Sequence, residues 1–536
     1  MSQDARFDEE QATQRRARVL QMDYIDTSQI SEKVLYKELL TNQELYDQRV
    51  IPVQYDRSHL IFGVTTTTSK QSMADLRQRF ADQRVAFCII SETGFKEYMH
   101  LYDPPRQVEY QDISFNETTQ PDILVDKISV MLDQVRADDM LAYLVSQAHR
   151  LNVSDIHIET QADDVRIRFR IDGVLHPVAR LAKDKYHILM SAVASAGNIS
   201  TATEEAQQGH ISQKVTMADN TIVDVNVRLE TVPTLNGMDI VMRLFNMDES
   251  MYNLNRLGLS PNERSIIDDI ITKPSGLVMI VGPTGSGKTT TLYSILNTLN
   301  TEERKIITIE DPVEYQFTGI TQISVHSSEA GNDSSFADKL RATLRLDPDI
   351  VMVGEIRDMD TARTALQAAL TGHLVLTTFH ASSAAAALTR LSDVIGQNPL
   401  FVSAIRLVMA QRLVRRLDEN TKQPYKPTES EWNAIAEVID SLPANIERPD
   451  PSKVELFTAG SSPENPYGYS GQIALREQFT MNGEIRALLE QGRTILSMQE
   501  IEAAASASGM RTMLQDAILK VLNGETTLEE VFRVIG

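Results

Sequence analysis

The order of hydrophobic and polar positions divides this chain into stretches of different period. Between residues 29 and 102, Val34-Leu35-Tyr36-Lys37-Glu38-Leu39-Leu40, Met73 to Phe80 and Phe95 to Leu101 have helical spacing. Val50 to Tyr55, Leu60 to Val64 and Val85 to Ile90 read as strands. Together they predict a small mixed α/β module, an adaptor with nothing catalytic in it. Residues 1–28 before it are polar, rich in Gln, Arg, Asp and Glu, and are expected to fray or form a loose helix. Asp103-Pro104-Pro105 opens a poorly patterned segment, 103–122, that reads as a linker.

Residues 123–250 carry a different pattern. A helical spacing through Leu141, Leu144, Val145 and Ala148 leads into the alternating run Ser154-Asp155-Ile156-His157-Ile158-Glu159. Val165-Arg166-Ile167-Arg168-Phe169-Arg170-Ile171-Asp172-Gly173 alternates too, with apolar residues on one face, arginines on the other and a glycine at the turn. Period two of this kind marks a half-buried antiparallel strand. Alone, the arginines read as a solvated face. More strand pattern follows at Ile222 to Arg228 and Ile240 to Phe245.

In residues 251–417 the alternation disappears. Leu277-Val278-Met279-Ile280-Val281 is solidly apolar, as a parallel strand covered on both faces must be. It runs into Gly282-Pro283-Thr284-Gly285-Ser286-Gly287-Lys288-Thr289-Thr290, the spacing of a phosphate-binding loop, and then into helical pattern to Leu296. Glycines let such a backbone curl until several N–H groups converge on phosphate oxygens. Lys288 can reach the β- and γ-phosphates, the Thr289 hydroxyl can ligate Mg²⁺, and the helix N-terminus faces the same anions. The loop predicts binding of a nucleoside triphosphate.

Three further apolar strands end in polar groups, where an α/β sheet presents its ligand. Ile306 to Ile309 ends in Glu310-Asp311-Pro312-Val313-Glu314, Ile350 to Val353 in Gly354-Glu355-Ile356-Arg357-Asp358, and Leu374 to Thr378 in Phe379-His380. Any one of them could merely cap the next helix. Behind a phosphate loop, Glu314, Glu355 and His380 fit the groups that hydrolysis needs to activate water and stabilise transferring charge. With a triphosphate to neutralise, a phosphate-facing role for the arginine strand becomes plausible as well.

The remainder, 418–536, begins with Pro-rich and acidic stretches at Gln423 to Thr428 and Ala444 to Pro451 and a Gly/Ser-rich turn region from Gly460 to Gly471. Its tail has helical periodicity, with Ile501, Ala505, Met510, Met513, Ala517 and Ile518 as candidate core.

Composition narrows the reading. The 536 residues suffice for two to four domains, and 42% apolar with 24% charged residues is ordinary for globular protein. A formal charge of −22 argues against a nucleic-acid track. Cys88 is the single cysteine, which excludes an internal disulfide framework and a four-cysteine zinc site. No run of about 18 apolar residues and no signal-peptide core occur, so a cytoplasmic chain that meets a membrane only through a partner is expected.

Four ordered boxes carry a family resemblance: Ser154 to Glu159, the run from Gly282, Ile309 to Glu314, and Leu346-Asp347-Pro348-Asp349 through Asp358, followed by Gly372-His373-Leu374-Val375-Leu376-Thr377-Thr378-Phe379-His380. Together they resemble the secretion ATPases that power type II secretion and type IV pilus assembly, over about Ile123 to Arg416 and more loosely over the adaptor module. The resemblance implies a hexamer in which each subunit joins a PAS-like α+β domain to a RecA-like core, with ATP and Mg²⁺ and a partner among inner-membrane platform proteins. It implies that Glu314 activates water, that Glu355 acts near Mg²⁺ with Thr289, and that His373 and His380 form a histidine box in which His380 meets the γ-phosphate side. Arg170, Arg228 and Arg243 match arginines that close over the nucleotide. Two departures stand out. The cysteine pairs that many members carry after the core are absent, so the lobe at 418–536 is expected to be metal-free, and Ala381 follows His380 where threonine is common. The implied function is a motor for a type IV pilus, of the type IVb sort, or a secretion pseudopilus. A conjugation or effector-secretion ATPase and a nucleotide-gated scaffold that hardly hydrolyses are the alternatives.

Overall fold

The computed structural model describes residues 3–30, 33–56, 59–102, 112–113, 121–136, 139–216, 222–245, 252–325, 336–395, 399–444, 446–449, 454–462, 465, 467–481, 483–490 and 497–536. The chain divides into two units, Met1–Tyr110 and Gln111–Gly536.

The first unit runs α1 (Gln3–Leu20), β1 (Asp23–Tyr24), α2 (Asn42–Gln48), β2 (Val50–Tyr55), β3 (His59–Val64), α3 (Lys70–Arg79), β4 (Arg84–Ile89) and α4 (Glu92–Tyr102). Its sheet has the order β1-β4-β3-β2, antiparallel only between β2 and β3. The polar N-terminal segment is a helix tied to this body. Glu10 accepts hydrogen bonds from the Ser91 hydroxyl at 2.7 Å and the Tyr24 hydroxyl at 2.8 Å, and Glu9 accepts from the Thr93 N–H at 3.1 Å. The helix expected over Val34 to Leu40 does not form. Leu39 and Leu40 are buried in turns, and a reciprocal cap between Thr41 and Glu44 starts α2 at Asn42 instead. Such a cap satisfies two N–H groups at one point, which fixes a helix start more firmly than apolar spacing does.

In the second unit α5 (Pro121–Gln134) and α6 (Met140–Arg150) precede β5 (Val153–Thr160), β6 (Val165–Ile171), β7 (Val174–Leu181), α7 (Lys183–Gly197), β8 (Gln207–Thr216), β9 (Ile222–Thr234) and β10 (Gly237–Phe245). The six strands form an antiparallel sheet, β7-β6-β5-β10-β9-β8. Asp172 and Gly173, with φ of 48° and 81°, make the β6–β7 turn; positive φ at both central residues is the geometry whose twist suits a two-residue hairpin. Of the expected linker, 103–111 and 114–120 lie outside the described residues, while Ile113 is buried with its N–H bonded to Gln147 at 2.8 Å.

The core follows with α8 (Pro261–Ile270), β11 (Gly276–Val281), α9 (Lys288–Leu299), β12 (Ile306–Glu310), β13 (Thr321–Ser324), α10 (Phe336–Thr343), β14 (Ile350–Val353), α11 (Met359–Leu370), β15 (Leu374–Phe379), α12 (Ala384–Ile395), α13 (Pro399–Ala404) and β16 (Ile405–Leu417). Then come β17 (Gln423–Tyr425), α14 (Glu429–Asp440), β18 (Leu456–Thr458), β19 (Tyr469–Thr480), α15 (Gly483–Glu490), α16 (Met498–Ala507), α17 (Met513–Leu522) and α18 (Leu528–Ile535). A seven-stranded sheet of order β13-β12-β14-β15-β11-β16-β19 is parallel except at β16–β19. Alternate residues of β11 enter two cores: Leu277, Met279 and Val281 pack with Ala365 and Leu388, while Val278 and Ile280 pack with Ile267, Leu292 and Leu296. Burial on both faces is why this strand reads as continuous hydrophobicity.

The boundary expected at residue 417 does not separate two bodies. β19 pairs with β16 along its length, and Ile501, Ala517 and Val531 of the tail share one core with β11. An open β16 edge would leave unpaired N–H and C=O groups, and β19 closes it.

Phe62 is fully buried in the first unit, with the rings of Phe80 and Phe87 5.8 and 6.0 Å away. Phe62→Ala should cost about 3–5 kcal/mol of that unit's stability. Hydrogen exchange across denaturant, read at residues 1–102 of the full chain, should show the loss there; an unchanged midpoint would contradict this packing.

Candidate nucleotide-binding site

Because β11, β12, β14 and β15 are parallel, their carboxyl ends share one sheet edge, with Ile309 opposite Val353, Val353 opposite Thr377 and Val281 opposite Phe379. That edge gathers the phosphate loop, Glu310 to Glu314, Glu355 and His380 from four separate parts of the sequence. His373 does not join them. It precedes β15 at the opposite end of the strand, its Nδ1 3.0 Å from the Ala368 carbonyl. Six strand residues put it roughly 20 Å from His380.

The loop has the backbone its glycines predict. Gly282, Gly285 and Gly287 have φ of 154°, 75° and 80°. A Cβ at Gly282 would lie 2.5 Å from the Gln411 carbonyl oxygen, so side chains are excluded by space as well as by conformation. Gly287 is the N-cap of α9 and supplies no side-chain cap, leaving the first-turn N–H groups for an anion. The Lys288 ammonium donates to the Gly282 and Pro283 carbonyls at 3.0 and 2.8 Å, folded back over the loop. Burial, and then the neighbouring Arg412, lower its pKa. Ser286 is buried and donates to the Pro283 carbonyl at 2.9 Å, while Pro283, Thr284 and Thr290 are exposed and Thr289 half-buried.

Two carboxylates flank the loop differently. Glu355 pairs with the Arg357 guanidinium and with His380 Nε2 at 3.0 Å. Desolvation, followed by Lys288, Arg357 and Arg390, lowers the His380 pKa. Among the described residues Glu314 has no such partner in contact. Its side chain is exposed, yet the protein crowding around it desolvates the carboxyl and raises its pKa, aided by Glu310 and opposed by Arg243, Arg228 and Lys288. Tyr293 positions the segment: its hydroxyl donates to the buried Glu310 and accepts from the Glu314 N–H at 3.3 Å.

The three arginines occupy one row across the six-stranded sheet of β5 to β10, the smaller domain of the second unit. Arg228 faces Arg243, Arg243 faces Asp155, and Asp155 faces Arg170, on β9, β10, β5 and β6. Directly opposed residues share a face, so all four side chains leave the sheet together. Buried Asp155 holds Arg243 at 2.8 Å and Arg170 at 3.3 Å, and Arg228 lies 3.3 Å from Glu230. Arg228 and Arg243 stand within electrostatic reach of Glu314 in the core, whereas Arg170 turns to Asp155, His157 and the Gly173 carbonyl.

A family model described as type II/IV secretion system protein matches residues 133–533. The chain belongs to this family. Among relatives, type II secretion system protein E of Pseudomonas aeruginosa is 36% identical over 468 residues, covering 85% of this chain and 88% of the relative. Type IV pilus assembly ATPase PilB of Thermus thermophilus is 38% identical over 408 residues, 75% of this chain and 43% of that protein. The solved ATPase DotB of Legionella pneumophila shares the fold at a TM-score of 0.53 and 23% identity, covering 75% of this chain and 96% of that one. The phosphate loop and membership in this secretion ATPase family make the chain an ATP-binding, ATP-hydrolysing protein with a RecA-like core.

Sequence reading missed Tyr293, Asp155 as the clasp of the arginine row, and Gln411. Each lies in a different element from the group it holds, and its residue type alone carries no signal.

Removing the one lysine of the loop should abolish tight ATP binding. Titration of Lys288→Ala with a fluorescent ATP analogue checks this, and wild-type affinity would refute the loop's role.

Proposed function

We propose that this ATPase works as a hexameric motor that drives assembly of a type IV pilus or a secretion pseudopilus, pushing on an inner-membrane platform protein to which its N-terminal or C-terminal parts dock. The observation that carries the reading is the charge gathered at Glu314: two smaller-domain arginines and the loop lysine all act on that carboxyl within one chain. A scaffold has no need of such convergence, whereas phosphoryl transfer does. Among the described residues no helix is long and apolar enough to cross a membrane, in keeping with recruitment by partners.

In this reading Glu314 takes the proton of the attacking water. A carboxyl whose pKa is raised is, in its ionised form, a stronger base than an ordinary glutamate. His380, oriented by Glu355, contacts the γ-phosphate side. The hydroxyl of Thr289 and the carboxylate of Glu355 are the hard oxygen donors that suit Mg²⁺, which when bound neutralises phosphate charge. Arg228 and Arg243 stabilise charge on the transferring phosphoryl group, and Asp155 aligns Arg243 with Arg170. Closure of the smaller domain over the nucleotide then becomes a rigid-body displacement once per cycle.

Glu314→Gln should keep ATP binding but slow turnover by about 10²–10⁴-fold. Because the ionised form is the active one, activity should fall as pH drops through the raised Glu314 pKa, so the acid limb of kcat/KM lies above the ordinary glutamate range and disappears in the variant. A steady-state phosphate-release assay across pH measures both; normal turnover in Glu314→Gln with a dead Glu355→Gln would move the base to Glu355.

Alanine at Arg228 or Arg243 should reduce kcat, toward the about 10³–10⁵-fold of a lost arginine finger, with ATP affinity little changed. Arg170→Ala should act more weakly, through Asp155. Full activity in all three variants would return the row to a solvated face.

A further inference from the structure

Gln411 and Arg476 join the phosphate loop to the chain segment that connects the smaller domain to the core. Gln411, midway along β16, is 2% exposed and its amide is used on both sides. Its Nε2 donates to the Ser286 carbonyl of the loop at 2.7 Å, and its Oε1 accepts from the Thr291 hydroxyl of α9 at 2.9 Å. It also lies where a Cβ of Gly287 would be, 2.7 Å from that position. The same Oε1 accepts from Arg476 Nε at 3.4 Å.

Arg476 sits on β19 at 1% exposure, a fully buried guanidinium. Its two remaining nitrogens donate to the Leu257 carbonyl at 2.6 Å and the Gly258 carbonyl at 3.3 Å. Glu263 and Asp516 compensate its charge from nearby. Asp516 also accepts from the Arg476 N–H at 2.9 Å, and Arg511 bridges Asp516 and Glu263. A buried guanidinium is costly unless its donors are satisfied, and here each of its three nitrogens has an acceptor, on β16 or on the Leu257–Gly258 segment.

The Leu257–Gly258 segment lies between β10, the last strand of the smaller domain, and α8, the first helix of the core. Gly258 has φ of 63°, with open space around its missing side chain, so its backbone can turn without a clash. Capped α8 follows at once, anchored where the Ser260 hydroxyl accepts from Arg511 at 3.1 Å. Arg476 therefore grips this connection at its positive-φ glycine with one side of its fork and the loop's buttress with the other.

We propose that Gln411 and Arg476 are positioning residues that transmit the state of the phosphate loop to the hinge at Leu257–Gly258, and so set the angle of the smaller domain. Neither touches the nucleotide. When the loop tightens on phosphate, Ser286 and Thr291 shift Gln411, Arg476 follows its acceptor, and the two hinge carbonyls are drawn along. Coupling is carried by a short chain of buried polar groups in which every member has one partner on each side. The proposal rests on the phosphate-loop reading and adds the connection by which that loop moves the smaller domain.

Two variants cut the chain at different points. Gln411→Glu keeps the acceptor for Arg476 and Thr291 but cannot donate to Ser286. Arg476→Lys keeps the charge opposite Glu263 and Asp516 but lacks the fork that spans Gln411 and the hinge. Hydrogen–deuterium exchange of the full-length protein with and without ATPγS reads both ends. In the wild type, nucleotide should slow exchange at residues 282–290 and also at 252–260. Both variants should keep the slowing at 282–290 and lose it at 252–260, with kcat down about tenfold and KM nearly unchanged. Wild-type slowing at 252–260 in either variant would overturn the proposal, as would its absence there in the wild type. So would loss of the slowing at 282–290 in step with a raised KM, which would make the pair a support of the loop alone. No slowing at 282–290 in the wild type would remove the loop assignment and the proposal together.

Discussion

The second unit depends on a single close approach, that of the phosphate loop to the middle of β16. A loop that offers its N–H groups to an anion must turn its carbonyls elsewhere, and those carbonyls need donors inside the protein. Lys288 serves the Gly282 and Pro283 carbonyls, and Gln411 serves that of Ser286. The space left for the chain between them admits no side chain at Gly282 or Gly287. The same contact that shapes the anion cradle thus brings β16, and through it β19 and the C-terminal helices, into the nucleotide's surroundings.

Charge is organised around this cradle against the overall balance of the chain. The protein carries a formal −22, yet cations from both parts of the second unit converge on the sheet edge. Arg228 and Arg243 can stand side by side on adjacent strands because Asp155 neutralises part of the row from within the sheet. The opposite face of those strands buries Val227, Leu229, Met242, Ile156 and Phe169, so the arginines have only one side to occupy. Strand alternation, a purely local pattern, here sets the direction of a field.

The carboxylates show how environment separates residues of similar chemistry. Glu310, Glu314 and Glu355 all follow strands of the same sheet. Glu310 is buried under the Tyr293 and Thr308 hydroxyls and Gln322, Glu355 is paired with Arg357 and His380, and Glu314 is crowded but uncommitted. Among the described residues, Glu314 is the one of the three that is exposed and has no side chain bonded to its carboxyl, which is the condition of a base.

Sequence alone determined the parts whose cause is local. Solid apolar runs marked the buried parallel strands, alternation marked the antiparallel sheet, and the glycine spacing marked the anion loop, because each follows from the period of the backbone or from positive φ. The ordered boxes likewise pointed to the family. Where local signals competed, the reading failed: apolar spacing at Val34 to Leu40 lost to the cap at Thr41, and the turn-rich start of the tail concealed β19, whose register only β16 supplies. Tertiary structure alone decided which residues meet. It separated His373 from His380 by the length of a strand, aligned Asp155 with arginines from three other strands, and set Gln411 and Arg476 between the loop and Leu257–Gly258. Such pairings depend on strand order and crossover connections, which no period within a single segment encodes.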